Sequence, residues 1–99
     1  MFDSKPDNAF FDRASDFIKL ANDHNQDPQV KTGEVSASFM YALSRYNAWF
    51  SSTGFENEEQ MQQKKAEMVA YYVEEYRKLL EGNMEDYIKN FDHYRKTQK

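Results

Sequence analysis

Val35-Ser36-Ala37-Ser38-Phe39-Met40-Tyr41-Ala42-Leu43-Ser44-Arg45-Tyr46-Asn47-Ala48-Trp49-Phe50 is the stretch on which the fold turns. Between Val35 and Gly54 the sole charged side chain is Arg45, in a chain where 30% of residues are charged. Val35, Phe39, Ala42, Leu43, Tyr46 and Phe50 recur at helical spacing, and Met40 and Trp49 widen the stripe on either side. Small residues, among them Ser36, Ala37, Ser38, Ser44 and Ala48, lie between the large ones and permit close approach of neighbouring helices. The outer face of a surface helix normally carries charge. A helix this poor in charge is therefore expected to be enclosed by protein, as a buried spine against which the other segments fold.

Working outward toward the N-terminus, Thr32 is placed to cap this helix, with Glu34 in its positive first turn. Pro28 to Lys31 reads as a connector, because the residue before a proline resists helical geometry and Asp27-Pro28 stops the preceding helix near Asn25. That first helix carries Phe10, Ala14, Phe17, Ile18 and Ala21 on one side, with Asp12, Arg13, Asp16 and Lys19 on the other. Phe11 flanks the stripe, and Asp7 or Asn8 is placed to cap it.

Toward the C-terminus, Ser51-Ser52-Thr53-Gly54 closes the central helix, with Gly54 able to take the left-handed conformation of a helix stop. Asn57-Glu58-Glu59-Gln60 resembles a capping box and opens a third helix. Its stripe is Met61, Met68, Val69, Tyr72, Tyr76, Leu79 and Leu80, with Lys65 in the one polar gap and a Glu74–Lys78 pair across one turn. Gly82 is expected to break or sharply bend it. Asn83 then caps a last helix of about three turns carrying Met84, Tyr87, Ile88, Phe91 and, at its end, Tyr94, beyond which the tail after Arg95 frays. No stretch alternates with a period of two. The expected fold is all-α: an up-and-down bundle of three long helices plus a shorter C-terminal fourth, one domain over residues 1–99 with 1–6 and 96–99 frayed.

Composition bounds the function classes. A chain of 99 residues supports one compact core. Its 16% of Phe, Trp and Tyr concentrates apolar area in few large side chains, enough for that core with some left for a partner. Thirteen basic against seventeen acidic residues give a net charge of −4, and no helix carries a basic stripe, which argues against nucleic acid and anionic membrane surfaces. The basic cluster His93, Arg95, Lys96 and Lys99 suits a helix C-terminus. With no cysteine there is no disulfide framework and no thiolate, which is compatible with the cytoplasm. The N-terminus lacks the basic and apolar regions of a secretory signal, and no apolar run is long enough to span a bilayer.

No constellation of catalytic residues emerges. A carboxylate-bridged di-metal bundle needs Glu-x-x-His on facing helices, whereas Ala21 precedes His24 and Asn90 precedes His93 at that spacing. Ser36, Ser38 and Ser44 have no histidine placed near them by the sequence, and Thr32-Gly33-Glu34 has one glycine where a phosphate loop needs several. Met40, Met61, Met68 and Met84 sit at stripe positions and read as core filling. The expectation is a chain that is not an enzyme, with no catalytic, cofactor-binding or metal residues.

The candidate contact residues are Tyr41, Arg45, Asn47 and Trp49, on the nominally outer part of the central helix. Trp, Tyr and Arg are enriched in interface hot spots. This face is expected to be covered by the chain's own fourth helix, by a second copy or another protein, or to line a pocket in which Arg45 and Asn47 contact a small apolar ligand.

The segments V-S-A-S-F-M-Y-A-L-S-R-Y-N-A-W at 35–49 and E-E-Y-R-K-L-L-E-G-N-M-E-D-Y-I at 74–88 resemble a small bacterial family known as domain of unknown function 3144. The aromatic-rich opening F-F-D-R-A-S-D-F-I-K-L-A-N at 10–22 is similar too, so the resemblance runs almost end to end. It implies a free-standing, helical, cytoplasmic bacterial protein and carries over no activity, cofactor or site residue. The expected function is a non-catalytic protein-interaction or regulatory module of the bacterial cytoplasm, as a homodimer or with another protein. The alternative is a helical bundle that binds a small molecule beside its central helix.

Overall fold

A computed structural model describes residues 7–97. The chain is all-α, with three long helices and a short C-terminal one: α1 Phe10–His24, α2 Thr32–Ser52, α3 Glu58–Lys89 and α4 Phe91–Thr97. The segment 1–6 and residues 98–99, which include part of the expected frayed ends, lie outside the described residues. Lys96 is helical, in the last turn of α4. Two compact units divide at Gly54 and Phe55, the first containing α1 and α2, the second α3 and α4.

In the first unit, neither Asp7 nor Asn8 caps α1 through its side chain; Ala9 holds that position. The Asp7 carboxylate instead accepts a hydrogen bond from Arg13 Nη2 at 2.8 Å, and its backbone carbonyl accepts from Phe10 N–H at 3.2 Å. The aspartate still serves the helix start, by holding the Arg13 side chain back over the first turn. After α1, Asp27 Oδ1 accepts the Gln29 N–H at 2.9 Å, a side-chain turn of the kind aspartate favours, and the chain reverses into α2. Thr32 is the first helical residue and not the cap; Lys31 precedes it in extended conformation, and Glu34 Oε1 accepts the Lys31 backbone N–H at 2.9 Å. α1 and α2 pack on each other. Val35 and Ser51 are buried and Phe10, Ala14, Ala21, Val30 and Asn47 half-buried.

At the end of α2 the hydroxyls of Ser52 and Thr53 donate to the carbonyls of Trp49 and Phe50, each at 2.6 Å. These side chains satisfy acceptors that a helix C-terminus leaves orphaned. The left-handed stop expected at Gly54 is not used: no described glycine has positive φ, and the turn closes through Gly54 N–H to Ser51 O at 3.1 Å.

In the second unit, Asn57 caps α3 as its type predicts, its Oδ1 accepting Gln60 N–H at 2.9 Å. The Gln60 side chain reaches one residue further back than a capping box requires, to Glu56 N–H at 3.0 Å. The expected break at Gly82 does not occur, and α3 runs on to Lys89. A helical glycine costs only about 1 kcal/mol relative to alanine. Leu79, Leu80 and Glu81 before it are good helix formers, and Arg77 bonds both Glu74 and Glu81 across the preceding turns. Lys78 pairs with Glu75 at 3.4 Å and not with Glu74, which Arg77 engages. The helix stops at Asn90, eight residues beyond Gly82, where the side-chain amide donates to Asp86 O at 3.2 Å and Asp86 Oδ1 at 2.9 Å. Asp86 O accepts the Asn90 backbone N–H as well, at 3.0 Å, so the last helical bond and the side-chain amide share one carbonyl. α4 follows after the single residue Asn90, with Tyr94 stacked on Tyr87 at 4.1 Å between ring centroids and its hydroxyl donating to Asp86 Oδ2 at 2.6 Å.

The main departure from the sequence reading is burial. α2 is not an enclosed spine: apart from Val35, Ser51 and half-buried Asn47 its residues are exposed. Phe39, Leu43, Tyr46 and Phe50, expected in the core, are all exposed, as are Phe17, Ile18, Val69, Tyr76, Leu79, Leu80, Met84, Tyr87, Ile88 and Phe91 elsewhere. Met68 is buried, and Met61 and Tyr72 are half-buried. The physical reason is that α2 lacks charge without lacking polarity. Ser44 and Ser52, with Thr53 just past its end, bond the backbone, as Ser44 Oγ does to Tyr41 O at 2.8 Å, and Ser36 and Ser38 add exposed hydroxyls. An apolar stripe shows which face avoids water, but not which molecule covers it.

Candidate interaction surface

Tyr41, Arg45 and Trp49 follow one another at four-residue spacing, so each stands one turn above the last on the same side of α2. Tyr41 is 66% exposed and Trp49 59%. The structure adds Tyr46, whose ring lies 5.5 Å from that of Trp49 at a tilted 46°. Sequence reading assigned Tyr46 to the core stripe; it is exposed beside Trp49 instead. Asn47 does not join this group. Two residues past Arg45 is about 200° around a helix, and Asn47 is half-buried on that other side. The combination of Arg45 and Asn47 around a ligand is therefore not brought together.

Arg45 makes no ion pair among the described residues, so the face presents one exposed cation among three aromatic rings. The adjacent hydroxyls are engaged locally, Ser44 on Tyr41 O and Ser52 on Trp49 O. The chemistry available on this face is apolar and aromatic contact, cation–π contact through Arg45, and tyrosine hydroxyl hydrogen bonds.

Electrostatic perturbation lies elsewhere and has structural causes. The Arg13 guanidinium beside Asp7 holds its carboxyl below the usual aspartate range. Arg77 does the same to Glu74, and is itself held more firmly protonated by Glu74 and Glu81. The hydrogen bond to Asp86 raises the Tyr94 phenol. None of these groups belongs to α2. His24 and His93 are both exposed, and His93 sits edge-on to Tyr94 at 5.7 Å. Among the described residues no group of three or more His, Cys, Asp or Glu is gathered closely enough to hold a metal ion.

A shallow, open depression runs along α3, lined by Gln62, Gln63, Lys65, Ala66, Val69, Ala70 and Val73. None of the residues singled out on α2 lines it. Sequence reading merged this face with the covered Met61, Met68 and Tyr72. The signal that separates them is a strict alternation of three and four residues through Ala66, Val69, Val73, Tyr76 and Leu80.

This is an all-helical protein whose described residues leave much aromatic and aliphatic surface open. The family described as protein of unknown function (DUF3144) matches residues 10–88, and the chain belongs to that family. A protein from Shewanella sp. solved by NMR is 64% identical, with 97% of this chain and 100% of that one covered and a TM-score of 0.77. No curated protein matches the chain. None of the helices in the described residues is long and apolar enough to cross a membrane.

Proposed function

We propose that this chain is a non-catalytic protein-interaction module of the bacterial cytoplasm, which docks another protein through the aromatic face of α2. The observation that carries the reading is the exposure of Tyr41, Tyr46 and Trp49 around the unpaired Arg45, on a helix with no charged residue beyond Arg45 from Val35 to its end. Aromatic and arginine side chains dominate the energetics of interfaces, and charge is depleted at their centres. Lone exposed apolar residues are ordinary on any protein surface. Three aromatic side chains within three turns, one pair of them in ring contact, are a patch and not a scatter.

The test is mass in solution by light scattering, with affinity purification of the tagged chain, for the natural sequence and for Trp49→Ala and Arg45→Glu. The expected result is a stoichiometric complex, with itself or another protein, that each substitution weakens while helix content is unchanged. A monodisperse monomer that retains nothing, with both variants indistinguishable from the natural chain, contradicts the reading.

A further inference from the structure

We infer that α3 is a second, separate docking surface, and that its partner is α3 of another copy of this chain, running antiparallel. The proposal deepens the interaction reading by naming a partner, but it stands on different residues from the α2 face.

The starting observation is that α3 has two apolar faces. Met68 is buried, with Met61 and Tyr72 half-buried along the same line. Roughly 100° further round the helix lie Val69, Val73, Tyr76 and Leu80, at 53%, 63%, 46% and 40% exposure. These residues, with Gln62, Ala66, Asn83 and Tyr87, fall into the alternating spacing of a two-helix seam. Its length from Gln62 to Tyr87 is about 38 Å at 1.5 Å per residue.

Charge and side-chain size select the occupant and its direction. When two such helices pair antiparallel about a twofold axis midway between Glu74 and Glu75, the layers match Val73 with Tyr76 and Val69 with Leu80 of the second copy, each twice. At the ends Ala66 meets Asn83, and Gln62 meets Tyr87. Every layer that contains a tyrosine then contains a smaller partner, and the polar residues fall at the rims, where an interface is wet. The flanking positions meet as Lys65 with Asp86, Tyr72 with Leu79, Gln63 with Met84, and Ala70 with Arg77. Lys65 makes no ion pair among the described residues, so its charge is available at both ends of the pair. Asp86 keeps accepting capacity beyond its bonds to Asn90 and Tyr94. Parallel pairing instead stacks Tyr76 on Tyr76 and Asn83 on Asn83, and brings Lys65 beside Ala70 with no opposite charge.

A strip about 38 Å long and about one helix diameter wide gives a footprint of roughly 400 Å² per copy. That is small for a protein interface and fits a reversible dimer that dissociates on dilution.

Sedimentation equilibrium of the intact chain from about 1 µM to 1 mM spans the affinity range expected of such an interface. The natural chain is expected to pass from monomer to dimer across it. Val73→Glu, at an exposed position and checked for unchanged far-UV circular dichroism, is expected to weaken association at least roughly 100-fold, because it places unpaired carboxylates in apolar layers. Lys65→Glu and Asp86→Lys each bring like charges together and are expected to weaken it roughly tenfold, while a 1:1 mixture of the two restores it as a heterodimer. Direction is read independently because the chain has no cysteine of its own. A mixture of Val69→Cys and Leu80→Cys chains is expected to oxidise chiefly to the mixed disulfide. A monomer at every concentration, a dimer indifferent to Val73→Glu, or a preference for Val69→Cys homodimers overturns the proposal. A dimer weakened by Trp49→Ala but indifferent to Val73→Glu sinks it while leaving the α2 reading intact; the reverse result supports it and sinks self-association through α2.

Discussion

α2 and α3 both leave apolar side chains in water, but they stand there by different means. α3 is laced with charge: Lys64 pairs with Glu67, Arg77 with Glu74 and Glu81, and Lys78 with Glu75, and Asn57 caps its start. α2 has none of this among the described residues. Its polar support comes from uncharged groups, the hydroxyls of Ser44, Ser52 and Thr53 on backbone carbonyls, with Glu34 turned back onto the start. The difference bears on recognition as well as stability. A helix with charges beside its apolar seam can specify the direction and register of a partner, whereas one with a single cation among rings must rely on shape and aromatic contact.

The sharpest way to break the comparison is at Gly82, where α3 continues through a residue that usually ends helices. Gly82→Pro removes a backbone donor and clashes with the preceding turn, so it is expected to cost about 3 kcal/mol and to melt the helix beyond it, visible in circular dichroism. Gly82→Ala is expected to do the opposite by about 1 kcal/mol, since a Cβ there meets nothing within 4 Å and φ is not positive. A loss of stability on Gly82→Ala would show that the glycine serves some close approach absent from this structure.

The two helix starts make the next contrast. Asn57→Ala removes the N-cap side chain of α3, and is expected to cost about 1 kcal/mol, read as a fall in thermal midpoint of about 4–8 °C. Lys31→Asn gives α2 the cap it lacks and is expected to raise the midpoint by up to a similar amount. Equal and negligible shifts at both positions would mean that capping does not distinguish the two helices.

How much of this was legible in the sequence divides along physical lines. The periodicity of Phe10, Ala14, Phe17, Ile18 and Ala21, and of the residues from Val35 to Phe50, fixed the existence and span of α1 and α2, because helical spacing is local. The end of α3 was not legible, because Gly82 disfavours a helix only weakly and the deciding bonds, Arg77 to its two glutamates and Asn90 to Asp86, depend on rotamers. The core was misread for a different reason. Met68 and Val69 are adjacent in a stripe that sequence alone makes continuous, yet one is buried and the other open. Of the candidate contacts, Tyr41, Arg45 and Trp49 share one exposed face, while Asn47 was grouped with them by proximity in sequence and not by angle.

Salt and pH give smaller effects. Arg77→Ala is expected to lower the thermal midpoint at low ionic strength, with the difference fading near 1 M salt, where screening acts within about 3 Å. Arg45→Ala, with no ion pair to lose, is expected to leave the midpoint unmoved. The depressed carboxyls of Asp7 and Glu74 contribute stability that is present above the ordinary carboxylate range, and it is lost as pH falls through their lowered values. For Tyr94 the sign reverses: its hydroxyl donates to Asp86 only while protonated. That contribution is complete below about pH 10 and is lost as pH rises through the raised value. Two-dimensional NMR of the Tyr94 ring against pH checks the second, and an acid titration of helix content the first.

The claim on which the rest hangs is that the aromatic face of α2 is open in the lone chain. Trp49 is the single tryptophan, so its fluorescence reports that face without labels. At the lowest workable concentration the account predicts red-shifted emission that acrylamide quenches freely. Blue-shifted emission shielded from the quencher under the same dilution would mean that the chain covers Trp49 itself, and the docking face would not exist.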